Sequence, residues 1–270
     1  MKHLAILAVA AVFMAATTGA EARSRHKHRA VPQVATATPM QALGDRDLCA
    51  GGPLVTAQDQ LRGCTRIIGK RTSRQERAVA HYNRANAQMN LMQLASAIQD
   101  YTQALALDPS MHHAVFNRAI AYEATGAAGQ ALVDLNSALA LVPRDADALV
   151  ARGRIQLRLG RTALAGADFD RALTIEGTRV DALVGRGHTR ARDRFWPAAL
   201  QDYDAALARA PGNAEALYGR ALVRLWSGDS QARNDDIALA ETLDRGVADR
   251  LAAYGLVAAA PGQQAALASP

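Results

Sequence analysis

The apolar positions of this chain fall three and four residues apart in short runs that break and resume. From Met111 to Ala124 the spacing predicts one amphipathic helix, and Thr125-Gly126 a turn. A second helix is predicted from Ala128 to Leu141, with Leu132, Leu135, Ala138 and Leu139 on one face and Pro143 beyond its end. The same hairpin recurs along the chain. Ala97, Ala131, Ala165 and Ala199 lie 34 residues apart, as do Ala104, Ala138, Ala172, Ala206 and Ala240. Bulky residues keep the period at Tyr101, Leu135, Phe169, Tyr203 and Ile237, and small ones at Ala85, Ala119, Gly153, Gly187 and Ala221. Pro109, Pro143, Gly177 and Pro211 close the units. Gly126, Gly160 and Gly228 stand where each first helix must reverse, a place for a left-handed cap. Asp145 and Asn213 precede later helices as N-caps.

These residues resemble the tetratricopeptide repeat family, whose pattern sets a small residue at position eight, alanines at twenty and twenty-seven, and proline at thirty-two. Ala119, Ala131, Ala138 and Pro143 match it in one unit, with Tyr122 at the aromatic eleventh position. The units run 78–111, 112–145, 146–179 and 180–213, with a degenerate fifth at 214–247. The family's tryptophan at position four is replaced by His81, Val115, Leu149, Leu183 and Leu217. The fifth unit has Arg233 in an alanine slot and Arg245 in the proline slot, as suits a terminal repeat whose outer face meets water. The resemblance implies an all-α fold, a right-handed α-solenoid of stacked helix-turn-helix repeats. Capping elements are expected at both ends. Residues 48–77 carry a helix from Thr56 to Ile68, and 248–258 a closing helix with Leu251, Tyr254 and Leu256. Residues 259–270 read as a flexible tail.

The first residues follow another logic. Lys2 and His3 precede an apolar run from Leu4 to Ala16, and Ala20-Glu21-Ala22 supplies a small-residue cleavage site, so 1–22 reads as a secretory signal peptide cleaved near Ala22. The run spans about 20 Å as a helix, too short for a hydrocarbon core of roughly 30 Å. Stable membrane insertion after cleavage is therefore not expected. Residues 23–47, beginning Arg-Ser-Arg-His-Lys-His-Arg, lack periodicity and read as a basic disordered linker. Export gives the two cysteines a meaning, since an oxidising compartment favours a Cys49–Cys64 disulfide. A periplasmic or secreted location follows. The arginine-rich, lysine-poor array points to an exported bacterial protein.

Composition adds little beyond this. Half of the residues are apolar and the net charge is +6, a soluble globular balance. No motif supports nucleic-acid binding. Catalytic elbows, zinc-binding helices and phosphate loops are absent, and Gly185-Arg186-Gly187 falls within a helix. His112 and His113 diverge by about 100° on a helix and do not share a metal. No enzyme activity, metal or cofactor is expected.

Two polar ladders keep the period: Arg84, Arg118, Arg152, Arg186 and Arg220 on first helices, Asp100, Asp134, Asp168, Asp202 and Asp236 on second helices. They form either an anion-binding strip or internal pairs, and equal numbers at equal period favour pairs. The resemblance further implies a concave groove lined by first helices. Its exposed positions here include Tyr82, Asn86, Phe116, Ile120, Arg154, Arg158, His188, Arg192, Tyr218 and Trp226. The expected partner is a protein or peptide, with an acidic segment over Arg154, Arg158 and Arg192. Asn83, Asn86 and Asn117 are similar to part of the family's clamp for C-terminal carboxylates, but Tyr82 and Phe116 stand where it has lysine. Two other readings remain open: structural self-assembly through the end faces, and an enzyme with an unrecognised site.

Overall fold

The computed structural model describes residues 43–228 and 233–257. The expected signal peptide, most of the expected linker and the expected tail lie outside the described residues. Among those described, the chain is helical throughout, with turns and no strand. α1 (Asp45–Ala50) and α2 (Ala57–Ile68) lead into five hairpins. These pair α3 (Arg74–Asn90) with α4 (Leu94–Leu107), α5 (His112–Ala124) with α6 (Ala128–Leu141), and α7 (Ala146–Arg158) with α8 (Thr162–Ile175). α9 (Val180–Arg192) then pairs with α10 (Trp196–Arg209), and α11 (Ala214–Trp226) with α12 (Arg233–Leu243), before the short α13 (Val247–Ala253).

From α1 to α12, each helix packs on the next wherever both are described, so the hairpins stack into an α-solenoid. Consecutive first helices also touch one another, from α3 through α11, whereas consecutive second helices approach less closely. That asymmetry bends the stack and puts the first helices on its inner face.

Local chemistry explains where the helices stop. Gly126, Gly160 and Gly228 sit at φ +79°, +77° and +90°, the left-handed conformation that glycine adopts without a Cβ clash. Met92 and Arg194 hold the equivalent places in the first and fourth units at φ +58° and +63°. The Asp145 carboxylate accepts from the Ala148 amide at 3.0 Å, and the Asn213 carbonyl from the Ala216 amide at 2.9 Å. Thr56 and Ser73 cap α2 and α3 in the same way.

The core is built on size complementarity between the two helix layers. Tyr101, Leu135, Phe169 and Tyr203 are fully buried. A Cβ added to Gly153 or Gly185 would stand 2.9 or 2.4 Å from the Phe169 ring, and one on Gly187 or Gly219 would stand 2.7 or 2.6 Å from Tyr203. Glycine there makes room for an aromatic ring wedged between repeats.

Both ends depart in detail from the sequence expectation. α1 starts at Asp45, inside the stretch expected as linker, because Asp45 pairs with Arg66 and Lys70 and Cys49 is bonded to Cys64. A six-residue helix is too short to leave a periodic signature. Closing this loop of 15 residues contributes about 3 kcal/mol in the chain-entropy account. At the other end α13 stops at Ala253 instead of running through the expected 248–258. Gly255 turns at φ +78°, and the Leu256 amide bonds back to the Leu251 carbonyl at 2.9 Å.

Candidate functional site: the inner face of the array

The two polar ladders meet. In all five units the arginine Nε and Nη2 donate to both oxygens of the aspartate sixteen residues on, at 2.6–3.2 Å. The third nitrogen, Nη1, reaches the helix before the unit, α2 for Arg84 and the preceding second helix for the others: Thr65, Thr102, Asn136, Asp170 and Asp204 accept at 2.7–3.2 Å. Each guanidinium thus joins three helices, and the arginines do not form a free anion strip. His112 Nε2 likewise stands 2.8 Å from Asp145 Oδ2.

The inner face divides into two halves of different character. Along α3 and α5 it lies clear of every described segment outside the stack. Tyr82, Asn86, Phe116, Asn117 and Ile120 are all half-buried there. The Tyr101 hydroxyl donates to Asn86 Oδ1 at 2.6 Å, and Asn117 Nδ2 donates to the same oxygen at 3.0 Å. Burial pushes the Tyr101 phenol up, so it stays protonated and able to donate. With its oxygen twice occupied, the Asn86 amide is held with its nitrogen available as a donor. Asn86, Met89, Asn90, Tyr101, Asn117 and Ile120 line a cleft of about 290 Å³.

Along α7, α9 and α11 the same face is covered by the chain's own C-terminal segment. The Tyr254 ring stacks on His188 with centroids 5.5 Å apart. Arg192 Nη1 donates to the Tyr254 carbonyl at 3.2 Å and to the Leu157 carbonyl at 3.0 Å. Arg250 on α13 donates to Glu215 at 2.9 Å, and Glu215 lies 3.6 Å from His188 Nε2. Beneath them His188 Nδ1 shares a 2.8 Å hydrogen bond with the Tyr203 hydroxyl, which burial keeps protonated. Burial would raise the Glu215 carboxyl, but His188 and Arg250 outweigh it and bring it down to about 2. Val247, Leu251, Tyr254 and Leu256 are buried.

Several residues expected on an open groove are therefore placed otherwise. His188 and Tyr218 are 2% and 8% exposed, which corrects the expectation that they face a guest. The cause is α13 and the turn after it, which lay the closing segment along the curve instead of across the end. Arg154 and Arg158 pair with Glu123 at 3.7 and 3.0 Å, and Arg192 is engaged as described. An acidic guest over these three arginines would have to compete with partners already present. Trp226 lines a cleft of about 360 Å³ with Trp196, Leu225 and Leu256. Sequence reasoning passed over Glu215, Arg250 and Glu123. Glu215 and Glu123 stand at the second and twelfth positions of their units, which the resemblance assigns to the groove, whereas Arg250 lies beyond the repeats and acts through contacts made on folding.

Models of the tetratricopeptide repeat match residues 78–111 and 129–178. No curated protein sequence matches the chain. Among solved structures, the chain is similar to YrrB, described as a TPR protein with an unusual peptide-binding site, at 22% identity and a TM-score of 0.55. That match covers 72% of this chain and 98% of the other. A tetratricopeptide repeat protein from Parabacteroides merdae superposes at TM-score 0.61 and 19% identity, covering 78% of this chain and 90% of its own. PilW, a type IV pilus biogenesis factor, does so at 0.57 and 20%, covering 66% and 90%. These likenesses establish a shared fold. The chain carries tetratricopeptide repeats, folded as an all-α solenoid of stacked helical hairpins.

Proposed function

We propose that this protein is an exported scaffold, not an enzyme, and that it holds an extended polypeptide of a partner protein on the inner face of α3 and α5. The observation that carries the reading is the fixed Asn86 amide beside Asn117, flanked by Tyr82, Phe116 and Ile120. Amide side chains match the alternating donors and acceptors of a peptide backbone, and the aromatic and aliphatic neighbours give its side chains apolar contact. The peptide-binding site ascribed to YrrB supports the reading by analogy of fold. Periplasmic or secreted placement rests on the leader-like residues 1–22 and is supported by the Cys49–Cys64 bond. No helix among the described residues is long and apolar enough to cross a membrane.

A photoreactive residue at position 116 is expected to capture a defined partner in intact cells, and Asn86→Ala with Asn117→Ala to abolish that capture. The same probe at Val133, which is exposed on α6, serves as control. Equal capture from position 133 would refute the groove reading. Export is tested separately, by sequencing the N-terminus of the mature protein, which should follow Ala22.

A further inference from the structure

The positive charge of the chain is gathered at one end. Residues 23–77 carry eleven lysines and arginines against four carboxylates, whereas residues 78–270 carry nineteen against twenty. The net +6 therefore belongs to the N-terminal cap and the stretch that leads into it, and the repeat array is close to neutral. On the cap, Arg62, Arg66 and Lys70 follow one another four residues apart, along one face of α2 and its closing turn. Arg71, Arg74 and Arg77 carry the patch across the corner onto α3, and all six side chains are exposed.

Local pairing does not account for this excess. Arg62 pairs with Asp59, but Arg66 and Lys70 share a single carboxylate, Asp45, at 3.1 and 2.7 Å. Arg74 donates to the Leu107 and Ala106 carbonyls beside Asp108, and Arg71 and Arg77 meet no carboxylate among the described residues. Arg74 and Arg77 also stand in the first turn of α3, where the helix dipole opposes a cation. Two further features choose the partner. Residues 43–77 contain no aromatic side chain, so the stacking that holds single-stranded nucleic acids is missing. Leu54, in the α1–α2 turn of the same cap, is 71% exposed, and an apolar side chain on a basic cap suits the boundary between lipid headgroups and acyl chains.

We infer that the N-terminal cap is a docking surface for an anionic phospholipid bilayer, met at the headgroups without insertion of a helix. The patch on α2 and α3 supplies the fixed cations, and Arg23, Arg25, Lys27 and Arg29 add charge from the stretch before it. Docking holds the scaffold at a membrane surface whatever its array binds, so the inference does not depend on the reading of α3 and α5.

The test is co-sedimentation of the purified protein, its N-terminus sequenced, with two kinds of vesicle: equal parts phosphatidylglycerol and phosphatidylcholine, or phosphatidylcholine alone. The natural protein is expected to bind the anionic vesicles about tenfold tighter or more, and raised salt to release it. Arg71→Ser with Arg77→Ser should weaken that binding by about fivefold or more. Arg144→Ser with Arg161→Ser removes the same charge from exposed places in the array and should leave it within about twofold. Equal losses from the two pairs would show that net charge alone matters and overturn the cap as the surface. Equal binding to both vesicles by protein lacking its leader overturns the proposal. Tighter binding to polyglutamate or to a single-stranded oligonucleotide, or displacement by inorganic phosphate at constant ionic strength, overturns the bilayer as partner. Should a variant not fold, or the leader be retained, hydrogen exchange of the natural protein on anionic vesicles decides. Slowed amides in residues 66–77 with α6 and α8 unchanged support docking by the cap, and no slowing there refutes it.

Discussion

Asp168 is buried, and both of its oxygens accept from Arg152, whose remaining nitrogen reaches Asn136. Removing the carboxylate leaves a largely enclosed guanidinium short of two hydrogen bonds. Asp168→Ala is therefore expected to cost about 3 kcal/mol, seen as a lower urea midpoint, with the α3–α5 face still binding its partner. An unchanged midpoint accompanied by lost binding would return these residues to a functional role. The pairing was legible because both ladders share one period and lie on the two helices of one hairpin. The burial of His188 was not. The resemblance leaves its repeat position exposed on the concave face, and the ring that covers it, Tyr254, comes from 66 residues further along the chain.

At the scale of the element, each second helix drives one bulky residue between two first helices, and the glycines are sized to it. Phe169 faces Gly153 and Gly185, whereas the equivalent Leu135 faces Ala119 and Ala151 by position in the repeat. Gly185→Ala would place a methyl group 2.4 Å from the ring and is expected to destabilise by about 1–3 kcal/mol. Combining it with Phe169→Leu should recover part of that loss, and a double-mutant cycle on thermal midpoints measures the coupling. Strictly additive losses would show that the ring and the glycine do not compete for the same space. The hairpins themselves could be read from periodicity, turns and caps. α1 could not, because six residues held by a disulfide and ion pairs owe their helix to tertiary contacts.

At the scale of the molecule, the closing segment and the array are joined by charge as well as packing, and this has a consequence for pH. Glu215 is brought from its ordinary 4.5 to about 2 by His188 and Arg250 against the opposing effect of burial, with Tyr254, Arg154 and Arg158 also nearby. A carboxyl depressed on folding contributes stability above about pH 4.5 and loses it as pH falls toward 2. Glu215→Gln should be less stable than the natural chain near pH 6, by about 1–3 kcal/mol after allowance for partial exposure, and the gap should close near pH 2. Parallel stability curves for the two chains would show that the pair does not couple segment to array. The sequence by itself determined the helical hairpin, its repetition, its caps and the partners of its arginines, because each depends on neighbours at fixed local or periodic separation. Tertiary structure alone decided which half of the inner face residues 246–257 cover, since the bend of the stack and the path of that segment bring together groups that no spacing in the chain relates.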